Sequence, residues 1–288
     1  MLTNFVNKII SKCFVKFILF FSFFVFFSDC IDFLFTKHYN KFILLQNYIK
    51  KKRGVCLKTI ADLHMHTSVS QHAYSTLDEM AMAAKFKGFK AFGITNHGPG
   101  MLDGAMELHF LCLRNLPDEL YGIRFYKGAE VNIKAYDGQL DLPESILKNL
   151  DIVIASYHAE AIAPASPADH TRGLIEVLKN PDVDCLGHIG NPVFQCDYEA
   201  VIKACAQEEK LIEINSNSFI VRPGSDKNCK TVARLCMEYG VSVLVSSDAH
   251  SKYAVGSHDA ALKMLRSISF PEKLIVNSDW DLLQRRLP

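Results

Sequence analysis

From residue 59 onward, short apolar runs alternate with longer stretches in which apolar positions recur every three or four residues. The short runs at 59–63, 91–95, 124–131, 152–156, 184–186, 211–215 and 242–246 predict seven strands. The periodic stretches at 77–87, 170–178, 199–209, 226–239 and 257–266 predict helices between them, with Gly88, Gly240 and Gly256 where helices begin or end. Regular alternation of this kind is the pattern of a parallel α/β fold, and seven strands with crossover helices predict a closed or nearly closed β/α barrel. No Pro-, Gly- or Ser-rich linker and no repeat interrupts it, so residues 59–288 are expected to form one domain.

Residues 1–58 are built differently. They hold twelve of the 20 Phe and ten Lys/Arg against two Asp, with no Ala, Pro or Glu. The apolar centre, 17–27, is shorter than the ~20 residues that a membrane-crossing helix needs. Three expectations compete for this segment. It is an amino-terminal anchor with Lys50–Arg53 on the cytoplasmic side, an export signal without a good cleavage pattern, or a stretch preceding the natural start near Leu57. The last is favoured, because its Phe, Lys, Asn, Ile, Leu and Tyr are what AT-rich DNA yields when read through. It implies a cytoplasmic protein, and the anchor reading a membrane-attached one.

Charge sharpens the contrast. The net charge of +1 divides into +8 for residues 1–58 and −7 for residues 59–288. An acidic body argues against nucleic-acid binding through a basic surface. The nine cysteines include no C-x-x-C pair, and free buried thiols are expected rather than a disulfide framework.

The polar residues at the ends of the predicted strands carry the chemistry. His64 and His66 follow the first strand, His97 the second, His158 the fourth and His188 the fifth, while Asp248 and His250 follow the seventh. Glu130 lies near the end of the third, and His72 is in the loop after His66. In a parallel barrel these carboxyl ends open on one face, where active sites are built. Spacings of i, i+2 in His64-Met65-His66 and Asp248-Ala249-His250 let two donors reach one ion. An unpaired carboxylate at Glu130 would be expensive to bury, and bridging two cations resolves that cost. Seven His and two carboxylates supply two or three catalytic metal sites. The remaining histidines, His38, His109, His170 and His258, are expected at the surface or in caps. His170 is expected to open a helix, and His109 to line the mouth at most.

The motifs Asp-Leu-His-Met-His-Thr, Ile-Thr-Asn-His-Gly-Pro, Gly-Ala-Glu-Val-Asn-Ile, Gly-His-Ile-Gly-Asn-Pro and Ser-Ser-Asp-Ala-His resemble, in order and spacing, those of the PHP (polymerase and histidinol phosphatase) superfamily. The similarity runs over about 59–275 and is greatest to the stand-alone, YcdX-like phosphatase branch. It implies a distorted, seven-stranded, TIM-like barrel with a trinuclear centre, usually of zinc, with manganese or iron as alternatives. It further implies that His64, His66 and Asp248 bind one ion, that Glu130 bridges it to another held by His158 and His188, and that His72, His97 and His250 hold the third. One departure is Asn96, where the family usually has Asp; the missing carboxylate is expected to be one that orients a ring or a water, so that the ligand set survives and its loss weakens one ion at most.

The implied activity is metal-dependent hydrolysis of small phosphomonoesters, with a metal-bound hydroxide as nucleophile and no covalent protein nucleophile. Arg222, in the segment after the sixth strand, is the candidate phosphate clamp, and Arg114 a weaker one. The alternatives are a histidinol-phosphate phosphatase and a metal-binding regulatory module without turnover. An exonuclease role is disfavoured, since no polymerase or basic DNA-binding domain accompanies the barrel.

Overall fold

The computed structural model describes residues 57–287. The readings of residues 1–56 as anchor, signal or upstream stretch therefore lie outside the described residues. Among the described residues, no helix is long and apolar enough to cross a membrane.

The strands are β1 (Ala61–Asp62), β2 (Ala91–Ile94), β3 (Glu119–Leu120), β4 (Ile123–Asn132), β5 (Ile152–Ser156), β6 (Cys185–Leu186), β7 (Leu211–Asn215) and β8 (Val243–Ser246). Seven of them pair in parallel in the order β1-β2-β4-β5-β6-β7-β8. The short β3, which the hydrophobic pattern did not predict, pairs antiparallel with β4. The sheet curls into a nearly closed, TIM-like barrel. At the carboxyl end of the seam, Met65 bridges Ala249 in parallel and the His66 N–H donates to Ala249 O at 2.9 Å. Lower down, Asn277 fills the seam. Its Nδ2 donates to Ala61 O and to Val245 O, both at 2.8 Å, and its Oδ1 accepts from Val245 N at 3.1 Å.

Alternation along the strands sorts the core into layers. Ala61, Ala91, Tyr126, Ile152, Ile154 and Leu244 are among those that point into the barrel, where Val276, Leu283 and Leu287 close the bottom. Tyr126 Oη donates to Leu287 O at 3.1 Å, tying that plug in place. Neighbouring residues such as Val153, Ile212 and Val245 point outward beneath the helices. The apolar interior ends where the polar site begins.

The helices lie close to their predicted positions: α1 (Leu77–Phe86), α2 (Glu107–Cys112), α3 (Glu144–Leu147), α4 (Pro167–Leu178), α5 (Tyr198–Gln207), α6 (Ser218–Val221), α7 (Ser225–Tyr239), α8 (Asp259–Ser267) and α9 (Trp280–Arg286). Local chemistry explains their starts. Thr76 and Glu79 form a capping box before α1, Ser166 caps α4 ahead of a proline, and Asp197 caps α5. α7 stops at Gly240, which adopts φ +72°, a conformation most side chains resist. The helix α4 begins at Pro167, so His170 sits within its first turns rather than opening it. The short α2, α3, α6 and α9 were not predicted; with four to seven residues they offer too little periodicity to detect. The six described cysteines are free thiols, four of them buried.

Asn277→Ala would leave Ala61 O and the Val245 N–H and C=O without their side-chain partners. The expected cost is about 3 kcal/mol, which thermal denaturation would read as a fall of about 6–12 °C in Tm. A second expectation concerns Asp184, whose carboxylate accepts from Val153 N at 2.8 Å. Burial pushes its carboxyl up to about 6 from 3.8. The native state therefore holds this proton more tightly than the unfolded chain, and stability is lost as pH rises from about 4 through 6. Asp184→Asn keeps the acceptor without the charge. Its Tm should exceed that of the parent above pH 6, by up to about 3 kcal/mol of stability, with the gain vanishing near pH 4.

Candidate metal centre

The carboxyl ends of the strands converge on Glu130. It is the eighth residue of β4, points into the barrel, and is 1% exposed. Its two oxygens face different histidines. Oε1 lies 3.0 Å from His188 Nε2 and 3.3 Å from His158 Nε2. Oε2 lies 2.9 Å from His97 Nδ1, 3.2 Å from His64 Nε2 and 3.5 Å from His66 Nε2. Asp248 joins the second group, with Oδ1 3.2 Å from His66 Nε2. The His250 ring stacks on that of His66, centroids 4.3 Å apart.

Eight of the nine sequence-predicted residues are thus in one compact cluster. His72 sits at its mouth, 44% exposed, its ring stacked on His250 at 4.5 Å and on His97 at 5.2 Å, and its Nδ1 bonded to Asp103. Three overlapping trios hold ligand atoms within 4.8 Å of one another: His66, His97 and His250; His64, His66 and Glu130; His97, Glu130 and His158. The middle of the cluster is therefore more shared than three separate ligand sets would be.

The electrostatics suit cations. Burial pushes the Glu130 carboxyl up, but the imidazoles of His64, His158 and His97 outweigh it and hold it well below the usual carboxylate range. Asp248 is likewise held well below its ordinary value, His64 and His66 outweighing burial. Burial and the neighbouring rings of His97, His250 and His64 push His66 well below its ordinary value, and burial with Arg222 lowers His188 to about 4. Neutral imidazoles offer the lone pair that a metal takes. His64 is the exception: burial lowers it, but Glu213, Glu130 and Asp248 raise it well above its ordinary value. Positive charge belongs at that point. Glu130 Oε2, Asp248 Oδ1, His97 Nδ1 and His250 Nε2 are buried without a hydrogen-bond partner. Buried polar atoms are rarely left so, and divalent cations coordinated by carboxylate and imidazole would satisfy all four. The donor set fits.

Polar residues that sequence reasoning missed aim the rings. Glu213, in the middle of β7 and 1% exposed, accepts from His64 Nδ1 at 2.5 Å and Ser246 Oγ at 2.5 Å through Oε1. Its Oε2 accepts from the His188 N–H at 2.7 Å and from Asn215 Nδ2 at 3.4 Å. All four partners donate, so only an ionised carboxylate meets them together. A glutamate flanked by Ile212 and Ile214 was the available signal, the same one that exposed Glu130. Asn132 Oδ1 accepts from His158 Nδ1 at 2.7 Å and is itself held by Asp141. Asp62 accepts from Ser247 and from the Gly256 N–H. These contacts hold the backbone before Asp248, which adopts φ +52°, as His188 adopts φ +29°. Left-handed conformations at such residues persist only where the surroundings enforce them.

Asn96 turns toward the 67–70 loop: its Oδ1 accepts from Thr67 N at 2.8 Å and its Nδ2 donates to Thr67 Oγ1 and toward His109 Nε2. Three expectations are corrected. His109 packs behind Asn96 and is not among the residues lining the cavity. His170 and His258 are not surface residues but core histidines, each 2% exposed: His170 bonds Gln195 O and Ala165 N, and His258 bonds Thr59 through Nδ1 and sets Nε2 3.3 Å from Asp62. His38 lies outside the described residues. Arg114 is exposed on the turn Leu113–Asn115 and away from the cavity. Arg222 does face it, with Nη1 2.9 Å from Ser218 Oγ and 3.6 Å from Asp248 Oδ2.

Comparison with known proteins agrees with this geometry. The PHP domain family matches residues 62–217. The chain belongs to that family. It is 45% identical over 222 residues to a protein of Acetivibrio thermocellus named "Probable phosphatase", covering 77% of this chain and 92% of the relative. A protein of the same description from Caldicellulosiruptor saccharolyticus is 46% identical over 216 residues, covering 75% and 90%. Among solved structures, the histidinol phosphate phosphatase of Lactococcus lactis, complexed with zinc, L-histidinol and phosphate, shares the fold. Its TM-score is 0.54 at 17% identity, covering 75% of this chain and 94% of that one.

Because Glu213 touches His64 and the backbone of His188, its loss should loosen cation binding at both. Glu213→Gln puts an amide N–H against a donor, and the affinity for zinc, read by competition with a chromogenic chelator, is expected to fall about 10–100-fold. An unchanged affinity would show that these contacts do not aim the rings.

Proposed function

We propose that this protein hydrolyses small phosphomonoesters at a trinuclear metal centre between β1 and β8. That it is a phosphatase follows from its family and from the curated relatives named above. The finer reading is carried by one observation: a buried glutamate whose two oxygens each face a different set of histidines. In this reading His64, His66 and Asp248 would hold one ion, Glu130 would be shared between it and another held by His158 and His188, and His72, His97 and His250 would hold the third. Zinc suits these imidazole and carboxylate donors, with manganese or iron as alternatives. When bound, such ions supply positive charge for the phosphate oxygens and a water whose pKa is lowered toward ~7.

The chain's own residues do the rest. Glu213, Asn132 and the backbone around Asp248 hold the rings in place before any ligand arrives, so little reorganisation is needed during reaction. Arg222 stands beside Asp248 at the cavity wall and is placed to take a phosphate oxygen with its guanidinium. Ser247 lines the same cavity, but its Oγ donates to buried Asp62 at 2.5 Å, which makes it a structural group rather than the nucleophile. The cavity, about 970 Å³, admits an organic phosphate ester.

The test is phosphate release from p-nitrophenyl phosphate by the full-length protein with added zinc or manganese. Turnover should require the metal, stop with chelator, and fall by more than about 100-fold in Glu130→Ala. Stoichiometric metal without turnover on a broad panel of phosphomonoesters would instead identify a binding module.

A further inference from the structure

The Arg222 side of the cavity carries more than a phosphate clamp requires. The loop after β6 brings Val193 and Phe194 to the wall, and the segment after β7 brings Ile220 and Val221, next to Arg222. β6 and β7 are neighbours in the sheet, and their loops pack together. Asn228 Nδ2 donates to Gly190 O at 3.0 Å, and a side chain added at Gly224 would lie 3.9 Å from Pro192. Ile220 is 77% exposed, Val221 54% and Val193 52%, while Phe194 is buried and stacked on Tyr157 with centroids 4.9 Å apart. Tyr157 lines the cavity too. Branched aliphatic side chains gathered at the mouth of a polar site are the mark of a surface that a ligand covers.

Charge narrows the ligand. Among the described residues, and away from the histidine cluster and Asp248, the charged side chains lining the cavity are Lys87 and Arg222 against Glu160 and Asp259. Arg222 is already engaged beside Asp248. With the metal ions taken up by the phosphate that is cleaved, these groups leave no net positive charge for a second phosphate, whereas an uncharged group would meet the aliphatic wall.

We propose that Val193, Phe194, Ile220 and Val221 form a subsite for the leaving alcohol, and that the preferred substrates are monoesters of uncharged, apolar alcohols, aryl-bearing or branched, rather than polyol phosphates or nucleoside polyphosphates. This rests on the phosphatase reading of the same centre. The organic part lies on the wall while its phosphate enters the histidine cluster. Burying aliphatic and aromatic surface then adds affinity in proportion to the area covered.

The experiment compares 2-phenylethyl phosphate with glycerol 1-phosphate, both esters of aliphatic primary alcohols, using the full-length protein with zinc. The expected preference for the phenylethyl ester in kcat/KM is at least about tenfold, carried by KM. In Ile220→Ser/Val221→Ser, exposed positions that the fold tolerates, the preference should shrink to about threefold or less. Calorimetry with 2-phenylethylphosphonate and 2-hydroxyethylphosphonate, which are not hydrolysed, should show the same ranking. Hydrolysis of both esters without preference, a preference for glycerol 1-phosphate, or a preference untouched by the double substitution overturns the subsite. Hydrolysis of neither ester, with the phosphonates still ranked as expected, would overturn the phosphatase reading and leave the subsite standing.

Discussion

Three carboxylates buried within one barrel mouth, those of Glu130, Glu213 and Asp248, set the terms for everything around them. An uncompensated buried charge costs several kcal/mol, so each must be met by donors or positive charge. Glu213 is met in full, by one imidazole, one hydroxyl, one backbone N–H and one amide. Glu130 and Asp248 are not: each keeps an oxygen without a hydrogen bond amid imidazoles. The difference separates the carboxylate whose oxygens are all engaged from the two that keep an oxygen free to meet a cation. A metal-dependent phosphatase needs both kinds, because a centre that reorganised around each ligand would lose much of its electrostatic advantage.

The backbone bears the cost of that arrangement. Asp248 and His188 stand in left-handed conformations, which side chains other than glycine adopt at some expense. Both are held by the buried carboxylate network: the His188 N–H by Glu213, the Asp248 side chain by Asn215, and the residue before it by Asp62. The seam of the barrel matters for the same reason. The Met65–Ala249 bridge brings the His64–His66 pair beside the Asp248–His250 pair, although some 180 residues separate them in the chain. Below it, Asn277 carries the hydrogen bonds that two adjacent strands would otherwise exchange. Folding and site assembly therefore share a single closure.

Histidine does two different jobs here. His170 and His258 are buried with hydrogen-bond partners on the outer side of the barrel, fastening a helix and a loop. His64, His66, His97, His158, His188 and His250 crowd together, with ring centroids as close as 4.3 Å for two of the pairs involving His66. Crowding of imidazoles around carboxylates has no packing rationale that aliphatic residues would not serve better. Donor groups so placed could hold a metal ion.

The sequence by itself determined the positions of the seven parallel strands, the five longer helices and the nine polar residues at the strand ends, because each is a local signal. A short apolar run between turn residues is a local strand signal, as at Ala91–Ile94, and His-x-His at the end of an extended run sets two rings on one side. The short helices Glu107–Cys112 and Trp280–Arg286 were not legible, since fewer than two turns leave no period to read. Glu213 was hidden for another reason: its inward direction depends on the register of β7 in a closed sheet, and its importance on residues up to 149 positions away. His170 and His258 read alike in the sequence as surface or cap histidines, yet both are buried, one bonded to Gln195 O and the other set against Asp62. Only the tertiary structure decided that, because a ring's role depends on what chain closure brings within about 3 Å of it.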